Sequence, residues 1–173
     1  MQISGNCSAK NKGVEKKMHN NSDFQTPEWV CEIMVNLIPG QPETILEPTS
    51  GAGNLVKAIG KRFSSTIYSP ARFEVFKKER VDCIVANPPF TPMSKGYRLL
   101  DNLFNRSDNI IILMPWLAII NSEQRTKSYI ERGLKYIIHL PRNAFKGSRV
   151  QTCILVFEKG YQGDIIFKVG ERM

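Results

Sequence analysis

A mostly apolar run, VDCIVA at residues 81–86, leads straight into Asn87, Pro88, Pro89 and Phe90. Neither proline has an N–H to give to a sheet ladder and each fixes its own φ, so a strand entering this stretch has to stop at Asn87. Whatever the chain folds into must end one strand on an amide side chain, two rigid residues and an aromatic ring.

The neighbouring segments show what surrounds that strand. In TPEWVCEIMVNLIPG, Thr26 suits a helix N-cap, Pro27 suits the first helical position, and Val30, Ile33, Met34, Leu37 and Ile38 form one apolar stripe that ends near Pro39 and Gly40. The short apolar stretch in ETIL meets a proline and a glycine-containing turn before the helical pattern NLVKAIGKRF. STIYSP reads as a second strand and RFEVFKKE as a short helix before the strand at 81–86. Beyond the prolines come a helix near GYRLLDNLF, the strand NIIILMP, a helix over SEQRTKSYIERG and the strand KYIIHLP. Strands alternating with helices predict an α/β fold with a mostly parallel sheet covered on both faces. The last part, VQTCILVFEKGYQGDIIFKV, reads as two strands joined by a glycine-bracketed turn, which adds antiparallel C-terminal strands.

Composition bounds the rest. With 173 residues, 42% hydrophobic and 23% charged, the chain has apolar surface for one core and little for a second. Residues 1–22 are polar, with Lys10, Lys12, Lys16 and Lys17 against Glu15, and read as a flexible basic arm before a domain at 23–173. The formal charge of +8 favours anionic partners such as nucleic acid. Cys7, Cys31, Cys83 and Cys153 form no C-x-x-C pair and only His19 and His139 are available beside them, so no metal site is expected. The first residues lack the apolar segment of a secretory signal and no run approaches the length of a membrane span, so the expected setting is cytoplasmic, with reduced thiols.

EPTSGAGNL follows a strand and opens a helix, the context in which Gly51 and Gly53 let a ligand approach the backbone at the carboxyl edge of a sheet. Val56 stands where the dinucleotide fingerprint needs its third glycine, which disfavours a nicotinamide or flavin, and no Gly-Lys-Ser/Thr ends the turn as in a P-loop. The Asn-Pro-Pro-Phe stretch fits a reaction at an exocyclic amine of an aromatic base. Such a nitrogen is a poor nucleophile while its lone pair is delocalised into the ring. Two acceptors that hold its hydrogens favour a more pyramidal geometry, and the amide oxygen of Asn87 and the carbonyl of Pro88 can be those acceptors. The prolines keep them stiff. Phe90 offers a face on which an extruded base can stack. No general base is needed, because the proton leaves after the nitrogen has gained its methyl group. Cys83 lies within a strand and reads as core.

On these residues the sequence resembles the S-adenosylmethionine-dependent amino-methyltransferases that act on DNA adenine, over roughly residues 23 to 158. NPPF resembles their catalytic signature, EPTSGAGNL their cofactor loop and FQTPEWV the segment preceding that loop. The motif order is similar to the gamma arrangement, in a compact form without a separate target-recognition domain. The resemblance implies a Rossmann-like methyltransferase sheet. It implies that Glu47, Pro48, Gly51 and Gly53 surround the methionine part of S-adenosylmethionine, that Phe24, Thr26 and Pro27 close over it, and that Asn87, Pro88, Pro89 and Phe90 form the catalytic loop. The implied activity is methyl transfer to the exocyclic amine of adenine in DNA, as in restriction-modification. The alternatives are the same chemistry on RNA or protein glutamine, or an inactive domain that binds nucleic acid or a protein.

Two departures qualify the pattern. Tyr68, Ser69 and Pro70 stand where such enzymes carry an acid for the ribose hydroxyls, leaving Glu74 or Glu79 as substitutes only if the chain bends, and the interval from Gly53 to Asn87 is too short for the usual third strand and its helix. In the compact form without a separate target-recognition domain, sequence choice is expected from loops, the arm or a separate partner subunit. PRNAFKGSRVQ, with Arg142, Lys146 and Arg149 around Phe145, suits phosphate contact with an inserted aromatic. Lys95, Tyr97 and Arg98 follow the catalytic loop and are placed to line the base pocket.

Overall fold

Alternation along the strands decides the layering. In NIIILMP, Ile111 and Leu113 join one buried cluster while Ile110, Ile112 and Met114 join another, as successive side chains of a strand must point to opposite faces. Burying such a side chain contributes about 1.5–3 kcal/mol, against about 1–2 kcal/mol lost in fixing one residue's backbone. A strand apolar at every position is thus best satisfied with both faces covered.

The structure is a computed structural model in which residues 25–172 are described. Phe24 and the basic arm lie outside the described residues. In chain order the elements are α1 (Glu28–Asn36), β1 (Thr44–Leu46), α2 (Asn54–Arg62), β2 (Thr66–Tyr68), a 3-10 turn (Phe73–Val75), β3 (Cys83–Ala86), α3 (Met93–Leu103), β4 (Asn109–Pro115), α4 (Leu117–Ile120), α5 (Glu123–Glu131), β5 (Leu134–His139), β6 (Thr152–Glu158) and β7 (Ile166–Val169). The strands form one seven-stranded sheet in the order β2-β1-β3-β4-β6-β5-β7. Only β6 runs against the others, antiparallel to both β4 and β5. One face packs against α1 and α2 through Val30, Met34, Leu55 and Ile59, the other against α3, α4 and α5 through Leu100, Leu103, Ile119 and Tyr129.

Three expectations are corrected. Pro27 is not the first helical residue: it is extended, with φ −61° and ψ 148°, at the N-cap position of α1, and its carbonyl accepts from the N–H groups of Val30 and Cys31 at 3.0 Å each. Thr26 does not cap that helix, because its hydroxyl is engaged elsewhere. The last two strands do not form a hairpin. Both edges of β6 are already paired, so β7 cannot pair with it and instead adds at the free edge of β5, which it joins in parallel with Ile137 opposite Phe167. Between β2 and β3 there is a single 3-10 turn and no further strand, so β2 stands at the sheet edge. With this topology the carboxyl ends of β1, β2, β3, β4 and β5, and the start of β6, share one edge of the sheet.

Candidate active site

At that edge β1 ends in Leu46, and the N–H of Glu47 continues the ladder by donating to the Tyr68 carbonyl at 2.8 Å. The Glu47 side chain is fully buried. Its Oε1 accepts twice from Thr49, from the backbone N–H at 2.8 Å and from the hydroxyl at 2.6 Å. Its Oε2 is buried without a hydrogen bond, and Ser69 lies close enough to favour the ionised form but outside bonding geometry. Burial, only partly offset by Thr49, pushes the Glu47 carboxyl above the usual carboxylate range.

The turn that follows needs its glycines. Gly51 and Gly53 have φ of +49° and +80°, where a side chain is strained. Their surroundings differ. Gln25 lies across Gly51, its Oε1 accepting from the Ala52 N–H at 2.7 Å, and a Cβ on Gly51 would stand 2.8 Å from that same oxygen. At Gly53 a Cβ would meet nothing within 4 Å. The open approach to the backbone is therefore at Gly53, while the space at Gly51 is filled by the chain itself. Pro48 is buried between this turn and Glu47 in sequence.

Asn87 follows β3 directly. Its backbone N–H donates to the Thr49 hydroxyl at 2.9 Å, and its side-chain Nδ2 donates to the Thr26 hydroxyl at 2.9 Å. Thr26 is 5% exposed, and its carbonyl accepts from Asn54 Nδ2 at 2.9 Å. Three segments far apart in sequence, around residues 26, 49 and 87, are thus tied to each other. Because an amide is planar, pinning Nδ2 to Thr26 turns the opposite end, the acceptor Oδ1, away from Thr26. Asn87 and Phe90 are half-buried, Pro88 is buried and Pro89 exposed. Phe90 packs against the α1–α2 side of the core. Behind the loop, Gly96 in the first turns of α3 is buried, and a Cβ there would stand 3.3 Å from the Pro89 carbonyl oxygen. That helix backs directly onto the two prolines.

Sequence reasoning did not find Thr49, Gln25, Asn54 or Gly96. A hydroxyl two residues after an acid inside a turn is a local signal that points to Thr49. The partnerships with Asn87 span 38 and 61 residues and have no local signature.

At the end of β2 stand Tyr68, Ser69 and Pro70. Tyr68 is half-buried, its ring edge-on to Phe76 at 5.5 Å with Lys78 Nζ 4.9 Å from its centre. Glu74 and Glu79 are both exposed. Burial pushes the thiols of Cys31 and Cys83 up to about 12, so neither is a ready nucleophile.

Lys95 and Arg98 on α3, and Arg142, Lys146 and Arg149 between β5 and β6, are all exposed near the edge that carries the Asn87 loop. Among the described residues none of these five forms an ion pair. The pairs Arg80–Asp108, Lys159–Asp108 and Lys135–Glu158 gather at the opposite edge. Phe145 is corrected: it is 6% exposed in the α1–α2 core, so it anchors its loop instead of projecting from it. The Ala144 N–H donates to the Pro141 carbonyl in a turn that carries Ala144 and Phe145 inward.

No protein-family model and no curated protein sequence matches the chain. Solved structures do share its fold. A protein of Vibrio vulnificus named as the modification subunit of a type I restriction enzyme superposes with a TM-score of 0.71 at 15% identity, over 90% of this chain and 49% of that one. The methyltransferase subunit of a type I restriction-modification system from Streptococcus thermophilus gives 0.68 at 18% identity, over 85% and 47%. The 23S rRNA methyltransferase ErmE gives 0.61 at 11% identity, over 82% and 72%. The chain spans about half the length of the first two. The fold is therefore the Rossmann-like methyltransferase sheet, with β2 at its edge among the described residues.

Proposed function

We propose that this chain transfers a methyl group from S-adenosylmethionine to the exocyclic amine of adenine in DNA, after the base is drawn out of the helix. The observation that carries this reading is the pinning of Asn87, whose side-chain nitrogen is held by Thr26 and whose backbone N–H is held by Thr49. An amide fixed in this way presents its oxygen as a stationary acceptor. With the Pro88 carbonyl it can hold both hydrogens of one NH2 group, and pre-set acceptors need no reorganisation when charge develops. Phe90, already packed on one side, leaves ring surface for a base.

The residues fit the amino-acid half of the cofactor. A buried carboxylate oxygen without a partner suits an ammonium group, and the open backbone at Gly53 admits a ligand beside it. Glu47, Pro48, Gly53 and the Thr26–Pro27 segment would hold that half, while Gln25 rather than the ligand occupies the space at Gly51. When bound, S-adenosylmethionine supplies an electrophilic methyl group. Asn87 and Pro88 orient the amine, and the proton on the methylated nitrogen passes to water. The ribose end lacks its usual acid. Lys95, Arg98, Arg142, Lys146 and Arg149 offer positive charge for the phosphate backbone, a task a separate specificity subunit would share.

The test is methyl transfer from labelled cofactor to unmethylated DNA, RNA and protein. The expected result is label on DNA adenine, with Asn87→Ala slower by about 10²–10³ as for loss of one pre-set polar group. Unchanged transfer in Asn87→Ala overturns the role of the amide, and label on RNA alone moves the substrate class. Tyr68, Ser69 and Pro70 at the ribose position favour one second reading, an inactive binding domain. Calorimetry showing no S-adenosylmethionine binding by the folded chain would favour it over the enzyme.

A further inference from the structure

We infer that Thr49 is a positioning residue that links occupancy of the cofactor site to the set of the Asn87 loop. The inference rests on the methyltransferase reading above. A threonine hydroxyl has one proton to give and lone pairs to accept with. Here the proton goes to Glu47 Oε1 at 2.6 Å, and a lone pair receives the Asn87 N–H at 2.9 Å. The backbone N–H of Thr49 also goes to Oε1, at 2.8 Å, so both donors of this residue converge on one carboxylate oxygen.

That convergence leaves Oε2 buried without a hydrogen bond, a setting that suits a cation. An ammonium group at Oε2 holds Glu47 ionised, and an ionised carboxylate accepts a stronger bond from the Thr49 hydroxyl than a neutral one does. A hydroxyl polarised by a stronger acceptor is in turn a better acceptor for the next donor along the chain. The next donor is the backbone N–H of Asn87, immediately past the end of β3, at the residue whose side chain meets the target amine. Filling the amino-acid pocket therefore stiffens the catalytic loop through one hydroxyl. By reciprocity, a loop held by target base raises affinity for the cofactor.

The experiment follows the exchange of the Asn87 backbone amide by nuclear magnetic resonance, with and without S-adenosylmethionine, in the full chain and in Thr49→Ser and Thr49→Val. Calorimetry on the same samples reports binding. In the wild type, saturating cofactor is expected to slow Asn87 exchange by about tenfold, the worth of one strengthened hydrogen bond. Thr49→Ser keeps this response. Thr49→Val, similar in shape but without the hydroxyl, loses it, and kcat falls by about tenfold while KM for the nucleic acid holds. Cofactor binding with unchanged Asn87 exchange in the wild type sinks this inference alone, even if Thr49→Val fails to fold. A wild-type response in Thr49→Val does the same. Failure of the wild type to bind cofactor sinks the methyltransferase reading and this inference with it.

Discussion

Glu47 has no exposed surface, and one of its oxygens is without a hydrogen bond. A carboxylate in that setting is unfavourable for the ligand-free chain, which is why burial raises its pKa from 4.5. The sign of the pH dependence follows. Above 4.5 the unfolded chain has lost this proton while the folded chain retains it, so stability falls as pH rises from 4.5 through the raised folded value. Glu47→Gln removes that dependence and keeps an acceptor for Thr49. Thermal unfolding across pH 5 to 8 should therefore show a flatter profile for Glu47→Gln, with a gain of about 1 kcal/mol at the upper end. The same variant should bind S-adenosylmethionine about 100-fold more weakly, read by calorimetry, because it leaves a buried ammonium without its counter-charge. A profile as steep as the wild type's would place the titration elsewhere.

At the scale of elements, β4 and β7 show how cover on two faces separates strands of similar composition. Leu113 of β4 is fully buried on the α1–α2 side of a strand covered on both faces, whereas Ile166 of β7 is 40% exposed at the sheet edge. Leu113→Ala should destabilise the fold by about 2–5 kcal/mol, since the rigid surroundings cannot close the cavity. Ile166→Ala should cost about 0.5 kcal/mol or less. Denaturant midpoints at constant slope measure both, and equal losses would contradict the layering. The alternation of helices and strands and the end of β3 at Asn87 were readable from residue pattern, because both arise from local geometry. The pairing of β7 was not, because two strands joined by a glycine turn look like a hairpin until it is known that β6 has no free edge. The four-residue α4 likewise is too short to carry a helical period.

Across the whole molecule, charge is sorted by edge. The amino edge neutralises Arg80, Lys135 and Lys159 with Asp108 and Glu158, while at the carboxyl edge Arg142, Lys146 and Arg149 are exposed and form no ion pair among the described residues. Five exposed cations, Lys95, Arg98, Arg142, Lys146 and Arg149, thus lie near the edge where the Asn87 loop opens. Replacing Arg142, Lys146 and Arg149 together by Ala should leave the unfolding temperature unchanged. It should also weaken DNA binding and lower the slope of log affinity against log salt by about 0.9 per lost phosphate contact. Lys135→Ala, at the other edge, should leave that slope as it is. Fluorescence anisotropy over a salt series distinguishes the two, and equal effects would show that the edge has no special part.

The order of elements, the stop at Asn87 and the glycine turn were set by residue type alone, since prolines without N–H groups, positive φ and hydrophobic period act within a few neighbours. Folding decided which hydroxyls reach Asn87, that Gln25 fills the space at Gly51, and that Phe145 turns into the core. Those contacts join residues tens of positions apart, and only the sheet that brings its strand ends to one edge puts them within hydrogen-bond reach.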